Sequence, residues 1–161
     1  MPPSKGAAGA HTIEGKKELM KMRNSLLVLA SVLSISACST DPVSEQSAAP
    51  VPPERIYHSS YVGVATTPSD ATVVFLRDSG LFGSGCSHDL FIDNVKVFAI
   101  RQGEQIATHV PAGQHFFRLE TGRGLCPNIA ASQESTIPSG AKQVYRILLP
   151  SDGSLRLTRI E

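Results

Sequence analysis

The stretch 90-LFIDNVKVFAIRQGEQIATHVPAGQHFFRLE-120 decides the fold class. Leu90 and Ile92 oppose Phe91 and Asp93, Val95, Val97 and Ala99 oppose Lys96, Phe98 and Ile100, and Phe117 and Leu119 oppose Phe116, Arg118 and Glu120. Alternation of this kind is strand periodicity, because successive side chains leave a strand on opposite faces. Turn formers stand between the runs: Asp93-Asn94, Gln102-Gly103, Pro111-Ala112-Gly113 and, just beyond, Gly122-Arg123-Gly124. They recur about every 9 to 10 residues, a spacing that belongs to meanders, sandwiches or barrels rather than βαβ units. Asp93-Asn94 is a two-residue turn that tolerates positive φ, and Asp152-Gly153 is a second hairpin signal.

The same punctuation continues on both sides. Runs with strand character cover 71–77, 88–92, 95–101, 105–110, 114–121, 132–137, 143–149 and 154–160, and no window has a capped helical period. Several runs are apolar on both faces, which suits a compact sandwich. The expectation is an all-β fold, a small antiparallel sandwich of about seven or eight short strands with one disulfide. Residues 54–161, roughly 108 in number, are enough for one domain with one core.

The N-terminal part reads as an address. Lys21 and Arg23 precede the apolar run Leu26–Ala37 (LLVLASVLSISA), and small residues Ser36 and Ala37 stand directly before Cys38. A basic segment, a short apolar run and small residues before a cut define a secretory signal peptide. The run is shorter than the roughly 17 to 25 apolar residues that span a bilayer core. Residues 1–37 are thus expected to be a signal peptide, with 1–19 a mis-assigned start or a long basic region ahead of Met20 and Met22. The next residues, Ser39–Pro53 (STDPVSEQSAAPVPP), are rich in Ser, Pro and Ala, so 38–53 is expected to be a flexible tether.

Charge excludes one class of partner. Five of the 15 basic and two of the 14 acidic residues precede Cys38, which leaves ten against twelve and a net charge of about −2 without any block of like sign. Nucleic-acid binding needs a basic footprint, and this chain has none.

Three cysteines, Cys38, Cys86 and Cys126, are present. With Cys38 assigned to the N-terminal signal, Cys86 and Cys126 form an even remainder, which in an oxidising compartment favours a disulfide. A zinc site built from Cys86, His88, His115 and Cys126 is the alternative, but Cys-x-His lacks the paired short spacings of structural zinc. No metal and no cofactor is expected. Gly83-Ser84-Gly85 is neither a nucleophile elbow nor a phosphate cradle. Ser84, Asp89, His109 and His115 form no recognisable catalytic pattern, and the two histidines read as strand surface residues. No catalytic residue is assigned, and the chain is not expected to be an enzyme. Arg123, between two glycines at a loop tip, is the candidate contact residue for a partner.

Ile35-Ser36-Ala37-Cys38 resembles the lipobox of bacterial lipoproteins. That resemblance implies cleavage before Cys38 and acyl chains, palmitate among them, on its thioether and amine. Ser39 in place of Asp directly after the cysteine leans towards the outer membrane. Residues 90–120, together with Gly140 and Val144-Tyr145-Arg146-Ile147, resemble PEGA-type and related bacterial lipoprotein domains, with Asn94 where Gly is commoner and the extra pair Cys86 and Cys126. The resemblance implies a β-sandwich of the cell envelope, usually without catalytic residues. Ser139-Gly140-Ala141 ahead of Tyr145 is similar, with altered spacing, to the Ser-Gly-x-x-Tyr segment of periplasmic lysozyme-inhibitor lipoproteins, which is the alternative reading; an envelope hydrolase is a second. The expected role is that of a lipid-anchored binding or structural module facing the periplasm. Its expected partners are the membrane, through the anchor, and an envelope protein or peptidoglycan.

Overall fold

The computed structural model describes residues 40–121, 126–150 and 152–161. Two packed sheets account for the fold. The first has five strands in the order β1-β5-β2-β8-β9, formed by β1 (Ala49–Pro50), β2 (Ala71–Arg77), β5 (Glu104–Val110), β8 (Lys142–Leu148) and β9 (Arg156–Arg159). The second has four, β4-β3-β6-β7, formed by β3 (His88–Ile92), β4 (Val95–Ile100), β6 (Gly113–Glu120) and β7 (Ala130–Ile137). Each of the eight runs read from periodicity contains a strand. Among the described residues no helix is long and apolar enough to cross a membrane.

The turn chemistry positions the hairpins. Asp93 and Asn94 have φ of 51° and 68°, the left-handed pair that a two-residue turn between twisted strands requires. Asp93 also fastens the turn, its carboxylate accepting from the Phe116 N–H at 2.9 Å. β8 and β9 pair in an antiparallel hairpin whose loop includes Gly153 at φ 77°.

Phe75, Phe98, Phe117 and Tyr145 meet at the centre of the core, with ring centroids 5.1 to 5.7 Å apart. Tyr145 is fully buried, and its hydroxyl donates to the Gln143 side-chain oxygen at 3.0 Å. A buried tyrosine thus supplies aromatic area while its polar tip stays satisfied.

Three features depart from the sequence reading. First, the sandwich is mixed rather than antiparallel: β2 pairs parallel with β8, Val74 facing Val144, and β1 pairs parallel with β5. No hairpin dictates the direction of β2 against β8, since five strands intervene and act as the crossover a parallel pair needs. Second, strict alternation fails in β4. The register moves from Leu90 opposite Phe98 to Phe91 opposite Lys96, a bulge that makes Val97 the extra residue and buries both Val97 and Phe98.

Third, residues 41–53 are not a tether. The Asp41 N–H donates to Ser79 O at 2.7 Å and the Ser79 N–H to Asp41 O at 3.0 Å. The Val43 N–H donates to the Asp78 carboxylate, and Val43 packs with Ala48 on Val74, Leu76 and Val144, the outer face of the five-stranded sheet. β1 then covers the β5 edge, with the Val51 N–H on Gln105 O at 2.9 Å, and the chain crosses to β4, where the Tyr57 N–H meets Val97 O at 2.8 Å. The segment is a strap that closes one side of the sandwich. Composition alone predicted disorder, because few large apolar residues oppose the ordering entropy. The open edge of β5 and the exposed apolar face of β2 supply the missing contacts, and covering them also blocks edge-to-edge association. The strap explains why ATVVFLR is apolar on both faces.

Candidate functional site

The loops that follow β2, β4 and β8 meet at one end of the sandwich, where the strap begins. Arg77, the last residue of β2, is 2% exposed and has no carboxylate against it among the described residues. Instead its guanidinium donates to three carbonyls: Gly83 at 2.9 Å, Ile100 at 3.2 Å, and Cys86. A rigid planar fork offers donors on separate nitrogens and so reaches acceptors spread more widely than those around the single nitrogen of an ammonium. Burial pulls the Arg77 guanidinium down to about 10, only partly offset by the Glu104 charge, so it stays cationic at neutral pH.

Arg77 therefore shapes the loop 78–87. Gly83 has φ 65°, and a Cβ there would collide with the Leu149 side chain, so this close approach requires glycine. Cys86 is bonded to Cys126 with Cα atoms 5.7 Å apart, which clamps the loop to the β6–β7 connection. Asp78, at the root of the loop, is ion-paired with Arg146 and holds the strap at Val43. The Gly80 N–H donates to the Gln102 side chain at 3.2 Å, and the Gly103 N–H to Arg77 O at 2.8 Å. On this scaffold Leu81 is 76% exposed and Phe82 45% exposed.

His88 opens β3 two residues after Cys86. It shares the inward face of β3 with Leu90 and Ile92 and is fully buried, and among the described residues neither ring nitrogen has a hydrogen-bond partner. Burial first, and the Arg77 charge second, push its pKa down to about 3, so the ring is neutral in the fold. The Ser87 hydroxyl next to it is also buried without a partner among the described residues. Sequence reasoning passed over Arg77 and weighed His88 only as a zinc ligand; the period-two phase that places Leu90 and Ile92 inward also places His88 inward, and would have identified it as a buried residue.

Adjoining this end, where Gly85, Ser87 and Cys126 form part of its lining, a cleft of about 480 Å³ opens on the outer face of the four-stranded sheet and brings Arg55, Lys96 and Arg101 to Asp89 and Glu120. Its charges are largely paired internally. Lys96 meets Asp89 at 2.6 Å and lies over the Tyr57 ring at 4.4 Å. Arg55 forks onto Glu104, with one bond of 2.7 Å, and donates to Ala99 O at 3.0 Å. Burial alone would raise the Glu104 pKa, but the hydrogen bonds from Arg55 and the Arg101 N–H outweigh it and hold the carboxyl below its usual value.

The sequence candidates separate in space. Ser84 is exposed in the loop after β2, whereas His109 pairs in register with Thr72 at the start of that strand, so Ser84 and His109 lie at opposite ends of β2. Asp89 is held by Lys96. His115, expected on the surface, is 9% exposed and fastens two turns: its Nδ1 is 2.7 Å from Asp93 and its Nε2 2.8 Å from Pro111 O. Alternation puts it on the face of Phe117, which explains the correction. Of the four zinc candidates, Cys86 and Cys126 are bonded to each other and His115 is held by Asp93. Among the described residues no group of three or more His, Cys, Asp or Glu side chains could hold a metal ion. Cys38 and Arg123 lie outside the described residues. No family model matches the chain, and no curated protein matches it.

Proposed function

We propose that the chain is a lipid-anchored protein of the cell envelope, a non-catalytic binding or structural module held to the membrane through Cys38 and facing the periplasm. The observation that carries this reading is Ile35-Ser36-Ala37-Cys38 at the end of a basic-then-apolar segment. Multiple acyl chains on one terminus give stable anchoring where a single chain is marginal. The Cys86–Cys126 disulfide accords with an oxidising compartment. The PEGA-like pattern of residues 90–120 fits the same reading, and Ser39 favours the outer membrane. The lysozyme-inhibitor alternative gains no support from Ser139–Tyr145, since such inhibitors act through an inserted loop and Tyr145 is fully buried.

Metabolic labelling with a palmitate analogue tests the anchor. Labelled protein is expected from the natural chain and none from Cys38→Ala, with the mature mass beginning at residue 38. An unlabelled natural chain would refute the reading.

A further inference from the structure

Leu81 and Phe82 are adjacent apolar side chains exposed on a loop that nothing in its surroundings lets collapse. Arg77 grips it at Gly83 and Cys86, the disulfide clamps its far side, and Phe82 lies beside Gly153. A loop held this firmly presents the two side chains without ordering them at the moment of contact.

The root of the same loop is where the strap begins. Asp41 and Ser79 exchange both backbone hydrogen bonds, and Leu81 follows Ser79 by two residues. Cys38 precedes Asp41 by three residues, and a chain reaches at most about 3.6 Å per residue, so Cys38 lies within roughly 11 Å of Asp41. With residues 41–53 strapped to the sheets, only three residues of sequence separate Cys38 from the strap. A tether of fifteen residues would let the domain tumble away from the bilayer, whereas three residues from an acylated Cys38 would keep one defined end against it.

We propose that Leu81 and Phe82 seat in the bilayer interface that holds the acyl chains of Cys38, so that the domain is docked on the membrane in one orientation rather than suspended above it. This rests on the proposed anchor at Cys38. Interfacial segments bury apolar side chains about 5 to 10 Å into the headgroup and acyl boundary, a depth that Leu81 reaches from a loop rooted beside the anchor. The charges near this end are mostly neutralised within the protein, Asp78 by Arg146 and Asp152 by Arg156. Arg101, exposed and next to Gln102, stands outside the ion pairs of the described residues and is the cation that a lipid phosphate would meet in this orientation.

The chain has no tryptophan, so a single indole is an unambiguous probe. The full lipoprotein carrying Leu81→Trp is purified from its own membranes and placed in phosphatidylethanolamine–phosphatidylglycerol vesicles with or without dibrominated acyl chains. Val64→Trp is the control, because Val64 is 92% exposed on the loop before β2. The seven residues of β2 separate the two loops by about 23 Å at 3.3 Å per residue. Blue-shifted emission and about two-fold or greater quenching at position 81, with solvent-like emission and little quenching at position 64, are expected for side chains at interfacial depth. Acylated, vesicle-bound protein with solvent-like emission at position 81, or equal quenching at both positions, overturns the docking while leaving the anchor intact. Protein whose mass lacks acyl chains and that does not float with vesicles overturns the anchor, and the docking with it.

Discussion

His88 offers the sharpest test of the energetics, because its cost depends on pH in a calculable way. The native imidazole is pushed down to about 3, whereas in an unfolded chain it titrates near 6.5. Between those values the unfolded chain binds a proton that the native one does not, so stability is greatest above about pH 6.5 and falls as the pH drops towards 3. The slope is roughly 1.4 kcal/mol per pH unit, which amounts to about 2.7 kcal/mol lost by pH 4.5 relative to neutral solution. His88→Leu keeps a similar volume, removes the titration and also removes a buried donor without a partner, whose desolvation costs about 1 to 3 kcal/mol. Urea denaturation followed by far-ultraviolet circular dichroism at pH 7.5 and 4.5, with the disulfide intact, measures both effects. The variant is expected to be more stable at pH 7.5 and to show a pH dependence smaller by about 2 to 3 kcal/mol. Asp70, held at about 2 by hydrogen bonds from the Thr66 and Thr67 hydroxyls and the Thr67 N–H, is common to both proteins and cancels. Parallel loss of stability in the two proteins between pH 7.5 and 4.5 would refute the reasoning, since it would mean that the imidazole accepts its proton inside the fold.

Two further predictions bear on how the site end is held. Cys86→Ser with Cys126→Ser opens a link across 40 residues of sequence, and the chain-entropy relation puts the cost at about 4 kcal/mol, read as a lower denaturation midpoint; a loss under about 1 kcal/mol would show that Arg77 alone secures the loop. Hydrogen exchange separates strap from tether: the Ala49 and Val51 amides, bonded to Gly103 O and Gln105 O, are expected to exchange many times more slowly than unstructured peptide, and exchange at the free-peptide rate would refute the strap.

Much of this architecture is legible in the sequence. Period-two alternation located the eight long strands, Asp93-Asn94 marked a turn whose residues do take positive φ, and the even pair of cysteines is joined. Each is local in its physics: side-chain phase follows from strand geometry, turn type from the φ that Asn and Asp tolerate, and pairing from a choice among few thiols. The candidate site was less legible. Arg77 ends an apolar run and reads as a surface terminus, but the carbonyls that hold it belong to the folded loop that follows it, at Gly83 and Cys86, and to Ile100 at the end of β4. His88 sits in phase with Leu90 and Ile92, and only the packing reveals that its ring lacks hydrogen-bond partners among the described residues.

What the sequence determined by itself was the class of fold, the positions of its turns and the one covalent link, because those depend on neighbours along the chain. What the tertiary structure alone decided was the parallel seating of β8 on β2, the extra residue Val97 in β4, and the conversion of residues 41–53 from tether to strap. Each of these depends on a surface formed elsewhere: a strand has no preferred direction until a partner edge exists, and a segment poor in apolar residues orders only when another element offers an open edge and an uncovered apolar face.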